Sequence, residues 1–439
     1  MSLNRLEKLS CFDRKNAICV DLSHLSIEPE DLDALSPLVD RALDEMRKLE
    51  GGEKVNTDEG RQVGHYWLRA PELAPCKEFT EDIHRVQKDI EHFCAQVHSG
   101  SIAPERATSF QYLLLIGIGG SALGPQFLYD AFRSPLQKMP TWFFDNTDPD
   151  GFATTLSQIP NLAETLVVVI SKSGGTKETA NGMKIAEKAF AAVGLDFSRH
   201  AVAVTGEGSL LDTYAKEQKW ISRFPLWDWV GGRTSVSSVV GLLPLALQGS
   251  DTRLFLQGMA HMDELTRNDS YSTNPALLLA LGWYKVTKGK GEKAMVVLPY
   301  KDRLLLCSRY LQQLVMESLG KELDREGNVV HQGLSVYGNK GSTDQHAYIQ
   351  QLREGLNDFF VTFIEVYRDV STLSQYHLTH NKKTREMNTL VSEEVADGLS
   401  AGDYLAGFLH GTRKALSDNK RESITISIKD VDEYNVGML

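Results

Sequence analysis

Two glycine-containing loops hold the residue types and spacings best suited to chemistry. The first is Gly117-Ile118-Gly119-Gly120-Ser121-Ala122-Leu123-Gly124, directly after the apolar run Leu113-Leu114-Leu115-Ile116. The second is Ser171-Lys172-Ser173-Gly174-Gly175-Thr176-Lys177-Glu178-Thr179, directly after Leu166-Val167-Val168-Val169-Ile170. An apolar run ending in a glycine-rich turn reads as a buried parallel strand leading into a helix. The glycines permit the tight turn and bring backbone N–H groups to the helix start, where the dipole favours an anion, usually phosphate. Ser121 adds a hydroxyl to the first loop. Ser171, Ser173, Thr176, Thr179 and the cation Lys172 crowd the second, and such donors suit a phosphate monoester. Gly117-x-Gly119-x-x-Ala122 fits the dinucleotide fingerprint as well, with Asp145 ending the next apolar run. A solvated Ser/Gly loop is the plain reading of the second loop alone. Two such loops in one domain favour a phosphosugar pocket.

The elements that must position these loops are read from the rest of the chain. Residues 1–55 read as an N-terminal helical arm, rich in Asp, Glu and Leu and punctuated by Gly51-Gly52. From 56 to 250, strand-like runs at 112–116, 141–145, 166–170 and 201–205 alternate with helical stretches, and the apolar helix 236–247 closes the segment. A second α/β block spans 251–439, with strands at 294–298, 360–364 and 423–428. The expected fold class is therefore α/β, built on two doubly wound parallel sheets whose strand ends hold the ligand.

Composition narrows the function. The 439 residues can bury substantial cores, and 42% apolar with 24% charged residues is ordinary for a globular protein. A formal net charge of −11 argues against nucleic acid or an anionic membrane as partner. The first residues lack the apolar core of a signal peptide, and no run is long and apolar enough to span a bilayer. Cys11, Cys19, Cys76, Cys94 and Cys307 are scattered and never form C-x-x-C, which points to reduced thiols in the cytoplasm. His377-x-x-His380 has zinc-like spacing, but no HExxH or nearby cysteine completes a site, so a polar helical stretch is expected.

Residues 117–125 (GIGGSALGP), 171–179 (SKSGGTKET), 228–241 (DWVGGRTSVSSVVG) and 316–321 (MESLGK), with Gln345-His346-Ala347, resemble the motifs of the glucose-6-phosphate isomerase (phosphoglucose isomerase) family, part of the sugar-isomerase (SIS) fold group. The matches run in order over nearly the whole chain from about residue 60. One departure is Thr234, where the family usually has an aromatic after Gly-Gly-Arg. The resemblance implies interconversion of glucose 6-phosphate and fructose 6-phosphate in glycolysis and gluconeogenesis, with no metal or organic cofactor. It implies a homodimer with shared active sites. By similarity Glu317 is the base, Arg233 offsets charge on the enediolate and His346 assists ring opening. Ser121, Ser171, Ser173, Thr176 and Thr179 then hold the phosphate side, Lys172 and Gly232 line the sugar, and Gly120 is a further substrate-binding residue.

Each role suits its residue. A carboxylate can accept and return a proton within one site, a fixed guanidinium favours developing negative charge, and imidazole titrates near neutrality. Residues 303–323 read as an amphipathic helix with Leu304, Leu311, Val315 and Leu319 on one stripe and Glu317 well off it. The family's C-terminal helix, bearing a Gln and a Lys that works with the histidine, has no match before the chain stops at Val436-Gly437-Met438-Leu439. The expectation is a shortened chain, or ring opening done otherwise. Two other classes stay open: a non-catalytic phosphosugar-binding protein of the same fold, and a nicotinamide-dependent oxidoreductase. A glutamine-dependent hexosamine synthase is disfavoured because no cysteine stands at the start.

Overall fold

Strands β1 (Ser10–Asp13) and β2 (Ile18–His24) open the chain, followed by β3 (Tyr112–Ile116), β4 (Thr141–Phe144), β5 (Thr165–Ile170), β6 (Ala201–Thr205) and β7 (Ser222–Pro225). Then come β8 (Ala294–Pro299), the paired β9 (Lys321–Leu323) and β10 (Val329–Gln332), β11 (Val336–Tyr337) and β12 (Phe359–Val366). The short pair β13 (Glu394–Ala396) and β14 (Leu399–Ser400) precedes β15 (Ser423–Ile428). The computed structural model of the chain describes residues 3–15, 18–55, 60–134, 137–369 and 394–439. The chain divides into one unit of Asp44–Ala260 and another of Met1–Leu43 with His261–Leu439.

In the first unit five strands form a parallel sheet in the order β4-β3-β5-β6-β7. The runs forecast at 112–116, 141–145, 166–170 and 201–205 all lie in it, each within a residue of its bounds. Leu114, Ile116, Val167, Val169, Ala201 and Ala203 share one face and pack on Phe152, Phe190 and Leu211. The intervening Leu113, Leu115, Leu166, Val168, Val202 and Val204 are as fully buried. Burial of both faces is why these strands read as continuous apolar runs rather than alternating ones. Edge strand β7 was not forecast, since Ser-Arg-Phe-Pro carries little apolar signal and ends in a residue that cannot donate to a ladder. The apolar helix begins later than forecast, at Val239, because Ser238 accepts from Val240 N at 3.2 Å and caps it.

The second unit holds a mixed sheet, β1-β2-β15-β12-β8-β11. Strands β15, β12, β8 and β11 run parallel, while β2 joins β15 and β1 joins β2 antiparallel. This corrects the expected N-terminal helical arm of residues 1–55. Ile18-Cys19-Val20-Asp21-Leu22 buries alternate residues on one side, the two-residue period of a strand rather than of a helix. Leu22 meets the helix Pro275–Val286 so closely that a Cβ on Gly282 would lie 2.8 Å from Leu22 Cδ2. Helices do occupy Leu3–Lys8, Pro29–Asp33 and Ser36–Glu50. Residues 1–43 nonetheless belong with the C-terminal block, and the other unit runs from 44 to 260 rather than 56 to 250.

Candidate active site

The order of the first sheet reverses between β3 and β5: the chain leaves β3 for β4 on one side, then returns to β5 on the other. Ligands of open α/β sheets settle at the strand carboxyl ends beside such a switch point. The two loops found in the sequence leave these two adjacent strands. Between them opens a cavity of about 760 Å³, within the ~300–1,000 Å³ usual for small-molecule sites. Gly120, Ser121, Ser171, Lys172, Ser173, Thr176, Thr179 and Gly232 all line it.

Local bonding explains how the hydroxyls are presented. In the second loop Ser171 Oγ accepts from Gly174 N and Ser173 Oγ accepts from Gly175 N, both at 3.1 Å. A hydroxyl that accepts a backbone N–H still has its own O–H to donate, which suits it to an anion. Thr205 Oγ1, at the end of β6, donates to Ser171 O at 2.6 Å and pins the loop from behind. Gly174 has φ +71°, and a Cβ there would lie 2.3 Å from Leu211 N, so a side chain is excluded. Thr176 is the N-cap of the 16-residue helix Lys177–Ala192 without using its side chain for the cap, and Thr179 lies buried in the first turn. The helix therefore directs its positive end at the cavity.

The first loop's glycines serve the chain's own packing. A Cβ on Gly120 would lie 2.1 Å from Gly232 O. Ser235 Oγ sits beside both carbonyls, 3.3 Å from Gly120 O and 2.7 Å from Gly232 O. The close approach a dinucleotide motif reserves for pyrophosphate is here filled by the 231–237 segment, and Asp145 accepts from Gln126 Nε2 at 2.7 Å. Lys172 Nζ donates to Asp228 O at 2.6 Å and Val230 O at 3.1 Å, and stands 3.7 Å from the Asp228 carboxylate. Its charge thus ties the second loop to the segment preceding Gly232. Arg233 comes next in the turn Gly232–Ser237, half-buried, and is not among the cavity-lining residues.

Sequence reasoning missed other lining groups. Trp227 stacks on Trp229 with ring centroids 5.0 Å apart and donates Nε1–H to Asp82 at 2.5 Å. Arg85 pairs with Asp82 and Asp89, and Arg61 with Asp228. The two tryptophans just before Gly231-Gly232-Arg233 were a usable signal, whereas Asp82 and Arg85 look like ordinary charges on the long helix Lys77–Ser99.

Glu317 and His346 lie in the other unit. The helix expected over 303–323 forms in part, over 307–319, with a π turn inside it. A 3₁₀ turn at Asp302–Leu304 leads to a short α-helix, Cys307–Leu311, then a π-helical turn, Gln312–Glu317, and strand β9 from Lys321. One extra residue per π turn rotates the succeeding side chains by roughly 100° relative to an α-helix. Leu304 and Val315 are buried as the stripe required, but Leu319 is 37% exposed, and Glu317 at the end of the turn is exposed too. His346 ends the 3₁₀ turn Thr343–His346 and is likewise exposed. Behind it Asp344 is buried, and Gln345 Nε2 donates to Thr412 Oγ1 at 2.5 Å.

His377 and His380 lie outside the described residues. Among the described residues no group of three or more His, Cys, Asp or Glu is arranged to hold a metal ion, and no helix is long and apolar enough to cross a membrane.

The family model described as phosphoglucose isomerase matches residues 21–401. A glucose-6-phosphate isomerase of Geobacter sulfurreducens is 54% identical over 99% of the chain, which spans 79% of that relative's length. One from Nostoc punctiforme is 52% identical over 96% of the chain and 76% of its own length. The crystal structure of a glucose-6-phosphate isomerase from Chlamydia trachomatis superposes with a TM-score of 0.85 at 27% identity, covering all of this chain and 84% of that one. The chain belongs to the phosphoglucose isomerase family.

Proposed function

We infer that the chain is an aldose–ketose isomerase that interconverts glucose 6-phosphate and fructose 6-phosphate, a step of glycolysis and gluconeogenesis. The observation that carries the substrate class is the cavity into which two adjacent strand-end loops bring Ser121, Ser171, Ser173 and Thr176. Hydroxyls on two loops that each lead into a helix suit the oxygens of a phosphate monoester. Thr179 adds a further phosphate-side hydroxyl, Gly120 completes the wall, and Lys172 and Gly232 bear on the sugar. The nicotinamide reading loses support, because Gly120 abuts Gly232 and Asp145 is engaged by Gln126.

In the proposed reaction His346 passes a proton to the ring oxygen as the ring C–O bond breaks, while the anomeric hydroxyl gives up its proton, which returns to the imidazole through solvent, giving the open aldose. The Glu317 carboxylate then takes the proton from carbon 2, and the electron pair of that C–H bond moves into an enediolate. The Arg233 guanidinium offsets the negative charge on its oxygens. The proton on oxygen 2 passes to oxygen 1, and return of a proton from Glu317 to carbon 1 leaves the ketose. Atoms and electrons balance within the sugar, so the step calls for no redox partner. Family likeness also supports a cytoplasmic location and a homodimer with shared sites, and the exposed apolar side chains Met316, Leu319, Leu323 and Val329 suit a subunit contact.

The test is isomerisation of fructose 6-phosphate in deuterated water, monitored by proton NMR. The expected result is glucose 6-phosphate carrying solvent deuterium at carbon 2. Tight binding without turnover would favour a non-catalytic sugar-phosphate binder, and turnover only with added nicotinamide would favour the oxidoreductase.

A further inference from the structure

We propose that Asp344 is a positioning residue for ring opening: through Asn339 and Tyr348 it fixes the turn that presents His346. The inference rests on the ring-opening role given to His346 above. Asp344 is 1% exposed, and a buried carboxylate is costly unless hydrogen-bonded. It accepts from Asn339 N at 2.9 Å, Asn339 Nδ2 at 3.2 Å and Tyr348 Oη at 2.5 Å. Its backbone closes the same knot, with Asp344 N donating to Lys340 O, and Ala347 N and Tyr348 N donating to Asp344 O. Burial and the neighbouring carboxylate hold the Tyr348 phenol well above its ordinary range, so it stays a donor.

The histidine is thus anchored on both sides while being exposed itself. Residues 344 and 348 join each other, and Gln345 is tied to Thr412. A four-residue 3₁₀ turn has weak internal bonding and would not hold a side-chain direction unaided. A buried charge is also poor evidence of a purely stabilising role, since well-packed neutral groups usually serve stability as well or better. The sequence signal is the run Asp344-Gln345-His346-Ala347-Tyr348, in which one titratable group is offered and its neighbours are fastened.

A substrate that cannot close its ring isolates the step. Fructose 6-phosphate must be opened. 5-Deoxyfructose 6-phosphate lacks the hydroxyl that closes the furanose and enters as the open ketose. For Asp344→Asn the expected kcat on fructose 6-phosphate falls at least tenfold, with KM unchanged, while kcat on the 5-deoxy ketose stays within twofold. Tyr348→Phe should show the same split, severalfold in size, and carries the test if Asp344→Asn does not fold. His346→Ala is the reference and should split the two substrates most. Equal losses on both substrates, or no loss on either, in Asp344→Asn and Tyr348→Phe beside a split in His346→Ala would overturn the positioning role alone. A His346→Ala chain without a split would overturn the ring-opening role, and this inference with it.

Discussion

The two units hold their candidate residues in different ways. In the 44–260 unit the hydroxyls stand on loops leaving two adjacent parallel strands, and backbone N–H groups and glycines set their directions. In the other unit Glu317 and His346 end irregular turns, one π-helical and one 3₁₀, and side chains beneath His346 hold its turn. A phosphate can be gripped by repeated main-chain geometry, because every strand end offers much the same donors. A proton must be moved at one atom, so the group that moves it needs individual support from its neighbours. The first arrangement announces itself in a sequence, and the second does not.

The division sets the size of each expected effect. The largest belongs to Glu317→Gln, which should lower kcat on the order of 10²–10⁴-fold, the usual worth of a positioned base. Solvent deuterium should then stop entering carbon 2. Near-normal exchange in that variant would remove Glu317 from the role of base. On the gripping side, Gly120→Ala forces a Cβ to within 2.1 Å of the Gly232 carbonyl, where neither backbone can yield easily. Overpacking of this kind costs about 1–3 kcal/mol, so urea unfolding should show a lower midpoint, and phosphate-ester affinity should drop as the two segments part. An alanine chain of full stability and affinity would mean that their close approach is dispensable.

A smaller effect concerns the sheet beneath the grip. His200 is fully buried between Phe110 and Phe190, its Nδ1 2.9 Å from Thr165 O and its Nε2 without a hydrogen-bond partner. Burial holds its folded-state pKa below the ordinary value of 6.5. As pH falls the unfolded chain binds the proton first. The stability contributed by neutral His200 is therefore whole above about 6.5 and declines below it. Between pH 7.5 and 5.5 the loss of stability should be smaller in His200→Phe than in the parent chain. Equal losses would show that this imidazole does not titrate on unfolding.

Legibility in the sequence divides along the same line. The strands β3 and β5 and their loops were legible because a strand buried on both faces is an unbroken apolar run, and glycine beside hydroxyls is unusual there. Ser121, Ser171, Ser173 and Thr176 were found by that signal and line one cavity. Strands β1 and β2 read as helix because their short alternating pattern sits among genuine helices, and only pairing with β15 fixes it. The π turn that ends at Glu317 was invisible, since nothing in Gln-Gln-Leu-Val-Met-Glu marks one. Asp82 escaped because its partner Trp227 is set by the fold, Arg85 because its pairing with Asp82 and Asp89 is that of any charge on a helix surface, and Asp344 because its partners lie in a loop that no periodicity describes.

Grip and proton transfer are separable in this molecule, with the grip in the loops after β3 and β5, and this separation can be measured. It is tested most directly by calorimetric titration of glucitol 6-phosphate, which carries the phosphate but cannot isomerise, into Glu317→Gln and into Ser171→Ala/Thr176→Ala. Parental affinity is expected for Glu317→Gln. For the double variant the expected loss is about 1.5–3 kcal/mol per hydrogen bond to the charged phosphate. Strong loss in Glu317→Gln with parental binding in the double variant would contradict it.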